Sequence, residues 1–166
     1  RSLVEPLLPA GSRVQTLMTP GRSEHGYEFT PSDLAALSGA DFVVWVGLGL
    51  EPQVDAFIAR QAVGPQVRLK FADVVGVSPD DGEHAASDEH DHDHDHAGAH
   101  TDNDGHHHGS VDPHLWVDPV LVKKLIPSIQ ASIQHALERR GQWNDAAQAA
   151  LTDATAKLTQ RVDQVD

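Results

Sequence analysis

The 166-residue chain contains no cysteine, one methionine and one tyrosine. The missing thiols exclude a disulfide scaffold, a thiolate metal site and a cysteine lipid anchor within this sequence. No run approaches the roughly 18–20 apolar residues that a bilayer span requires. No basic-then-apolar pattern follows Arg1, so no signal peptide is read in this chain. A formal charge of −13 gives no basic face and argues against a nucleic-acid binder. Apolar residues make up only 39% of the chain, but its length is sufficient for one domain with a proper core.

The most informative deficit is local. Residues 80–112 contain no Lys or Arg, yet hold 11 of the 25 acidic residues and 9 of the 12 histidines. The remainder carries 12 basic against 14 acidic residues, a net of only −2. Imidazoles interleaved with carboxylates and lacking an apolar anchor cannot bury a core, so residues 80–111 are expected to form a disordered surface loop. Neutral imidazole suits Zn, Cu, Ni and Fe, and the carboxylates add charge, so the loop should collect divalent cations. Its candidate ligands are His84, His90, His92, His94, His96, His100, His106, His107 and His108. The run is internal and alternates Asp with His, unlike a purification tag. It leads directly into VDPHLWVDP, which carries His114.

On either side of this segment the pattern is that of a folded domain. Leu3, Val4, Leu7 and Leu8 have helical spacing across residues 1–10, strained by Pro6. Residues 13–19, RVQTLMT, alternate as a strand does, and the loop GRSEHGYEF follows with Glu24 and His25. Thr30, Pro31 and Asp33 spell a helix start, and Gly39 a stop. Residues 41–47, DFVVWVG, read as a strand buried on both faces. Glu51-Pro52 opens a helix expected to end at Gly64-Pro65, and Val67, Leu69 and Phe71 give a third strand.

Beyond the loop, Asp118-Pro119 starts a helix that Pro127 should kink and Gly141 should end. From Trp143 the apolar positions 143, 147, 151, 154, 158, 162 and 165 step as a heptad, the mark of a long helix packing a narrow seam. Strand alternating with helix implies an α/β domain with a parallel sheet flanked by helices. Ligands of such sheets sit beyond the carboxyl ends of the strands, which is where the His25 loop is expected. The sequence opens directly on apolar SLVEPLL and stops inside a helical pattern, so a fragment of a longer protein is expected.

Both folded-region histidines, His25 and His114, have bland readings, as a solvated loop residue and as a ring packed on Trp116. The adjacent metal-collecting loop shifts the reading of His114 towards a ligand. His135, mid-helix between polar neighbours, reads as solvated. There is no nucleophile–base pair, no H-E-x-x-H signature and no complete phosphate loop, so a hydrolytic metalloenzyme lacks support. A metal store or metallochaperone acting through the His-rich loop is the alternative to a transport role, and it makes His25 and His114 dispensable.

Taken together, SEHGYEFTPSDLAALSGADFVVWVGLGLE, a His/Asp-rich loop and PHLWVDP closely resemble the solute-binding proteins of high-affinity zinc ABC transporters, the ZnuA family. The resemblance covers nearly the whole chain but only the amino-terminal half of the family's length. It implies two α/β lobes joined by a long helix, with the metal between them. Residues 1–141 would be the amino-terminal lobe, residues 142–166 the start of the connecting helix, and the second lobe is not in this sequence. His25 matches the first zinc ligand of the family and His114 the second, in the HLW motif. Glu24 matches a position that can contact zinc or its bound water, and the remaining ligands belong to the second lobe. SEH in place of DPH in the first motif points to the zinc-selective subgroup with histidine-rich loops. The resemblance thus implies a non-enzymatic, monomeric, periplasmic protein that binds Zn(II) and delivers it to an ABC permease.

Overall fold

The computed structural model describes residues 2–17, 28–61, 66–78 and 111–165. Its centre is a βαβ unit. Strand β1 (Phe42–Trp45) pairs in parallel with β2 (Val67–Lys70), in the register Phe42↔Val67 to Trp45↔Lys70. Helix α2 (Pro52–Arg60) makes the crossover. Before it lies α1 (Pro31–Gly39), after β2 the short α3 (Phe71–Val75), and beyond residue 111 the long α4 (Pro119–Arg139) and α5 (Asp145–Asp163). Among the described residues no helix is long and apolar enough to cross a membrane.

Helix α1 begins where its sequence dictates. The Thr30 hydroxyl oxygen accepts the Asp33 N–H at 3.2 Å, and Asp33 Oδ2 accepts the Thr30 N–H at 2.9 Å, a reciprocal capping box that satisfies two otherwise orphaned donors. Asp118 caps α4 through the Val120 N–H at 2.7 Å, with Pro119 at the first helical position. Asn144 caps α5 through the Ala147 N–H at 2.9 Å.

Period-2 alternation in β1 divides the core into two layers. Val43 turns towards α1 and α2, where it packs with Leu37 and Val54 and is flanked by Trp45, Phe57 and Ile58. Phe42 and Val46 turn the other way, onto a larger cluster of Leu69, Phe71, Leu115, Val122, Leu125, Ile126, Ile129, Ile133, Leu151 and Leu158. The i, i+3, i+4 stripe of α4 supplies half of these residues, and Ile126, Ile129 and Ile133 are its most deeply buried side chains. The sheet is therefore flanked by helices on both faces, the α/β arrangement expected from the sequence, but β1 is not buried on both: Val44, on the Phe42 face, is 36% exposed.

Local polar contacts fix the direction of each helix. At the amino edge of the sheet, the Gln66 amide donates to the carbonyls of Leu37 and Ala40 at the end of α1, and Arg140 at the end of α4 forms a two-point ion pair with Asp41. Both helices therefore run antiparallel to the strands, with their N-termini at the carboxyl edge. Lys123 near the start of α4 pairs with Asp163 at the end of α5 at 3.0 Å, so the hairpin brings α5 back to that carboxyl edge.

Several sequence expectations need correction. Residues 12–16 are irregular and residue 17 is a bend, so the alternating RVQTL is not a strand, and residues 18 and 19 lie outside the described residues. Alternation fixes which face a residue would present, but a strand also needs a pairing partner. Residues 2–10 form no helix beyond a 3-10 turn at Glu5–Leu7, with Pro6 in it. Helix α2 stops at Arg60, before Gly64-Pro65, which lie outside the described residues. Phe71 belongs to α3 and not to β2: the ladder extends one more bond, Ala72 N–H to the Val46 carbonyl at 3.0 Å, and the backbone then coils until Gly76 ends it at φ 72°. Helix α4 runs through Pro127 without a break, the proline lying on its exposed side. The heptad seam is helical from Asp145, with Leu151 and Leu158 buried, but α5 closes at Asp163 and Val165 is exposed.

Candidate metal centre

The carboxyl edge of the sheet is where the described structure departs from regular geometry. Directly after β1, Gly47, Leu48 and Gly49 adopt φ values of 90°, 56° and 78°, so three successive residues are left-handed. A Cβ at 47 would also stand 2.3 Å from Lys70 Cε, so the lysine side chain packs directly over the glycine and would have to shift for any other residue. Lys70 lies over that turn and reaches Asp55 at 3.2 Å, while Trp45 Nε1 donates to the same Asp55 oxygen at 3.0 Å. Glu51 closes the turn from inside: its two carboxylate oxygens accept the N–H groups of Val46 and Gly47 at 3.1 and 3.0 Å. Burial raises the Glu51 pKa above its ordinary value, although those two N–H bonds act in the opposite direction.

Two segments that carry candidate ligands meet this edge. The chain leaving the His25 loop is tied down at Phe29, whose N–H donates to Gln53 Oε1 in the first turn of α2 at 2.7 Å. His25 and Glu24 themselves lie outside the described residues, as do His84, His90, His92, His94, His96, His100, His106, His107 and His108. The second segment is residues 111–118, which re-enter the described structure just ahead of α4. Pro113 is buried, and Leu115 is buried in the main core within a 3-10 turn, Leu115–Val117. His114 lies between these two anchors at the N-cap of that turn, with its side chain 40% exposed.

Contacts with Asp112 and Trp116 orient the His114 ring. Asp112 Oδ1 accepts the His114 backbone N–H at 2.9 Å and lies 2.6 Å from the ring Nδ1, within hydrogen-bond distance. These bonds, the backbone one foremost, lower the pKa of the Asp112 carboxyl below the ordinary aspartate value. On the other side the ring meets Trp116 edge-on, with 5.2 Å between centroids and 63° between planes. Trp116, Val117 and Val120 are all exposed. His135 is exposed on α4, as its polar neighbours predict.

Among the described residues, no three His, Cys, Asp or Glu side chains are gathered around one potential metal position. His114 is thus a single oriented donor at the edge where the Phe29 segment is also anchored. Reading the sequence alone misses Asp112 as its partner. The available signal was the spacing Asp-Pro-His, since an aspartate readily bonds the backbone two residues further on.

The family model described as zinc-uptake complex component A, periplasmic, ZnuA, matches residues 2–166. A protein described as high-affinity zinc uptake system protein ZnuA, from Yersinia pestis, is 30% identical over 155 residues. That alignment covers 88% of this chain but 46% of the Yersinia protein, so the chain spans about half the length of the relative it matches. No solved structure matches the chain. With the α/β fold and His114 of the PHLWVDP segment held at the carboxyl edge of the sheet, this match across almost every residue establishes that the chain belongs to the ZnuA family.

Proposed function

We propose that the chain is the amino-terminal lobe of a periplasmic, non-enzymatic solute-binding protein that captures Zn(II) and delivers it to an ABC permease. In this reading residues 1–141 form the lobe, residues 80–111 a metal-collecting loop, and residues 142–166 the start of the helix that connects to a second lobe. The observation that carries the reading is His114, an oriented and partly exposed imidazole at the sheet edge where α/β proteins bind ligands, in a chain of a zinc-uptake family. His25 is the second ligand from this lobe, and Glu24 contributes to zinc or its bound water. His25 is four residues from Phe29, a span of at most about 14 Å, so chain length allows it to reach the same edge.

Zinc takes four N, O or S ligands in tetrahedral array. Two imidazoles and one carboxylate leave a position open, which suits a carrier whose cargo is completed and released by a second set of ligands. The loop raises the local zinc concentration near that position, an effective-concentration role needing no fixed stoichiometry. A competitive zinc titration tests the assignment, with a chelator tight enough to silence the loop. The protein should take up about one zinc tightly, and His25→Ala with His114→Ala should abolish that uptake. Unchanged tight binding in the double variant would refute it.

A further inference from the structure

An imidazole can offer a metal either of two nitrogens, and the surroundings of His114 select one. Asp112 Oδ1 lies 2.6 Å from His114 Nδ1 and also accepts the backbone N–H of the same residue at 2.9 Å. An ionised carboxylate only accepts hydrogen bonds, so the proton in this contact is on Nδ1. In the neutral ring the lone pair then belongs to Nε2. The turn is stiff as well as bonded: Pro113 is buried between the two residues with its φ fixed by its own ring, and Leu115 anchors the far side in the core.

We infer that Asp112 is a positioning residue for metal capture, fixing His114 in the Nδ1–H tautomer and presenting Nε2 as the donor to a divalent cation. The inference rests on His114 being a ligand, as proposed above. A carboxylate behind a coordinating imidazole does two things: it removes the rotational and tautomeric freedom that binding would otherwise have to quench, and it makes the coordinating nitrogen more basic. Asp112 is 78% exposed, so a burial requirement does not account for its place beside the ring.

Long-range proton–nitrogen NMR of the intact protein at a pH where the ring is neutral reads the tautomer without any metal. The His114 signal is identified by its loss in His114→Ala. The wild-type ring should show a protonated Nδ1 and a lone-pair Nε2. Asp112→Asn keeps an acceptor oxygen in the same place and should preserve that pattern, whereas Asp112→Ala should give a mixture in which Nε2–H gains. Tight zinc affinity should fall about 10–100-fold in Asp112→Ala and by less in Asp112→Asn. A wild-type ring protonated on Nε2 would overturn the inference, and so would an Asp112→Ala protein with unchanged tautomer. If His114→Ala abolishes tight binding while Asp112→Ala leaves affinity intact, the positioning role fails and the ligand assignment stands. If His114→Ala itself binds zinc normally, the ligand assignment fails, and the positioning role with it.

Discussion

Gly47→Ala is a sharp probe of the left-handed turn at the carboxyl edge, because two separable costs meet at one atom. The first is in the backbone: φ is 90°, a region in which a residue with a Cβ is strained by about 1–2 kcal/mol. The second is steric, since the new Cβ would sit 2.3 Å from Lys70 Cε and 3.1 Å from Cγ, so the lysine side chain must shift. At most, that shift breaks the 3.2 Å contact with Asp55, an ion pair whose side chains are 27% and 34% exposed, worth no more than about 1 kcal/mol after solvent screening. The single variant should therefore lose about 1–3 kcal/mol in urea denaturation, as the sum of those two costs. In a Lys70→Ala background the steric part is gone, and the same glycine substitution should cost only the backbone part, about 1–2 kcal/mol. Four denaturation curves complete the cycle. An identical cost in both backgrounds would refute the packing of Lys70 over Gly47. A cost below about 0.5 kcal/mol in the Lys70→Ala background would refute the left-handed turn itself.

Other expectations are independent of that cycle. Burial raises the Glu51 pKa above its unfolded value, so the folded state binds its proton more tightly and stability falls as pH rises from the ordinary value of 4.5 through the folded one. The stability difference between wild type and Glu51→Gln, followed by denaturation from pH 4 to pH 7, should therefore shift in favour of the variant as pH rises; a flat difference would contradict it. Ile129→Ala removes a side chain that is 1% exposed at the centre of the α4 stripe and should cost about 2–5 kcal/mol, while a loss under 1 kcal/mol would mean the core is not packed as described. Because ligating imidazoles must be deprotonated, tight zinc affinity should weaken as pH drops below about 6.5, and equal affinities at about pH 7.5 and 5.5 would rule out histidine ligation.

What the sequence made legible was mostly local chemistry. Thr30-Pro31 with Asp33, and Asp118-Pro119, marked helix starts because each cap is complete within four residues. The α4 stripe and the apolar β1 run were readable because burial on one or both faces leaves a periodic trace. Pairing was not readable. RVQTLMT alternates as a strand would, and β2 looked one residue longer than it is, because a ladder is decided by residues distant in sequence. The site divides along the same line. His114 was visible as a residue type in a suggestive neighbourhood, but its orientation arises from Asp112 and from the burial of Pro113 and Leu115, which are properties of the fold.

The most direct test of the account is anomalous diffraction at the zinc edge from crystals of the intact protein loaded with one equivalent of Zn(II). The account predicts an ordered zinc about 2.0–2.1 Å from His114 Nε2, with Nδ1 still bonded to Asp112 and His25 as a second ligand. An ordered zinc held elsewhere, with His114 outside its coordination sphere, would contradict the central claim.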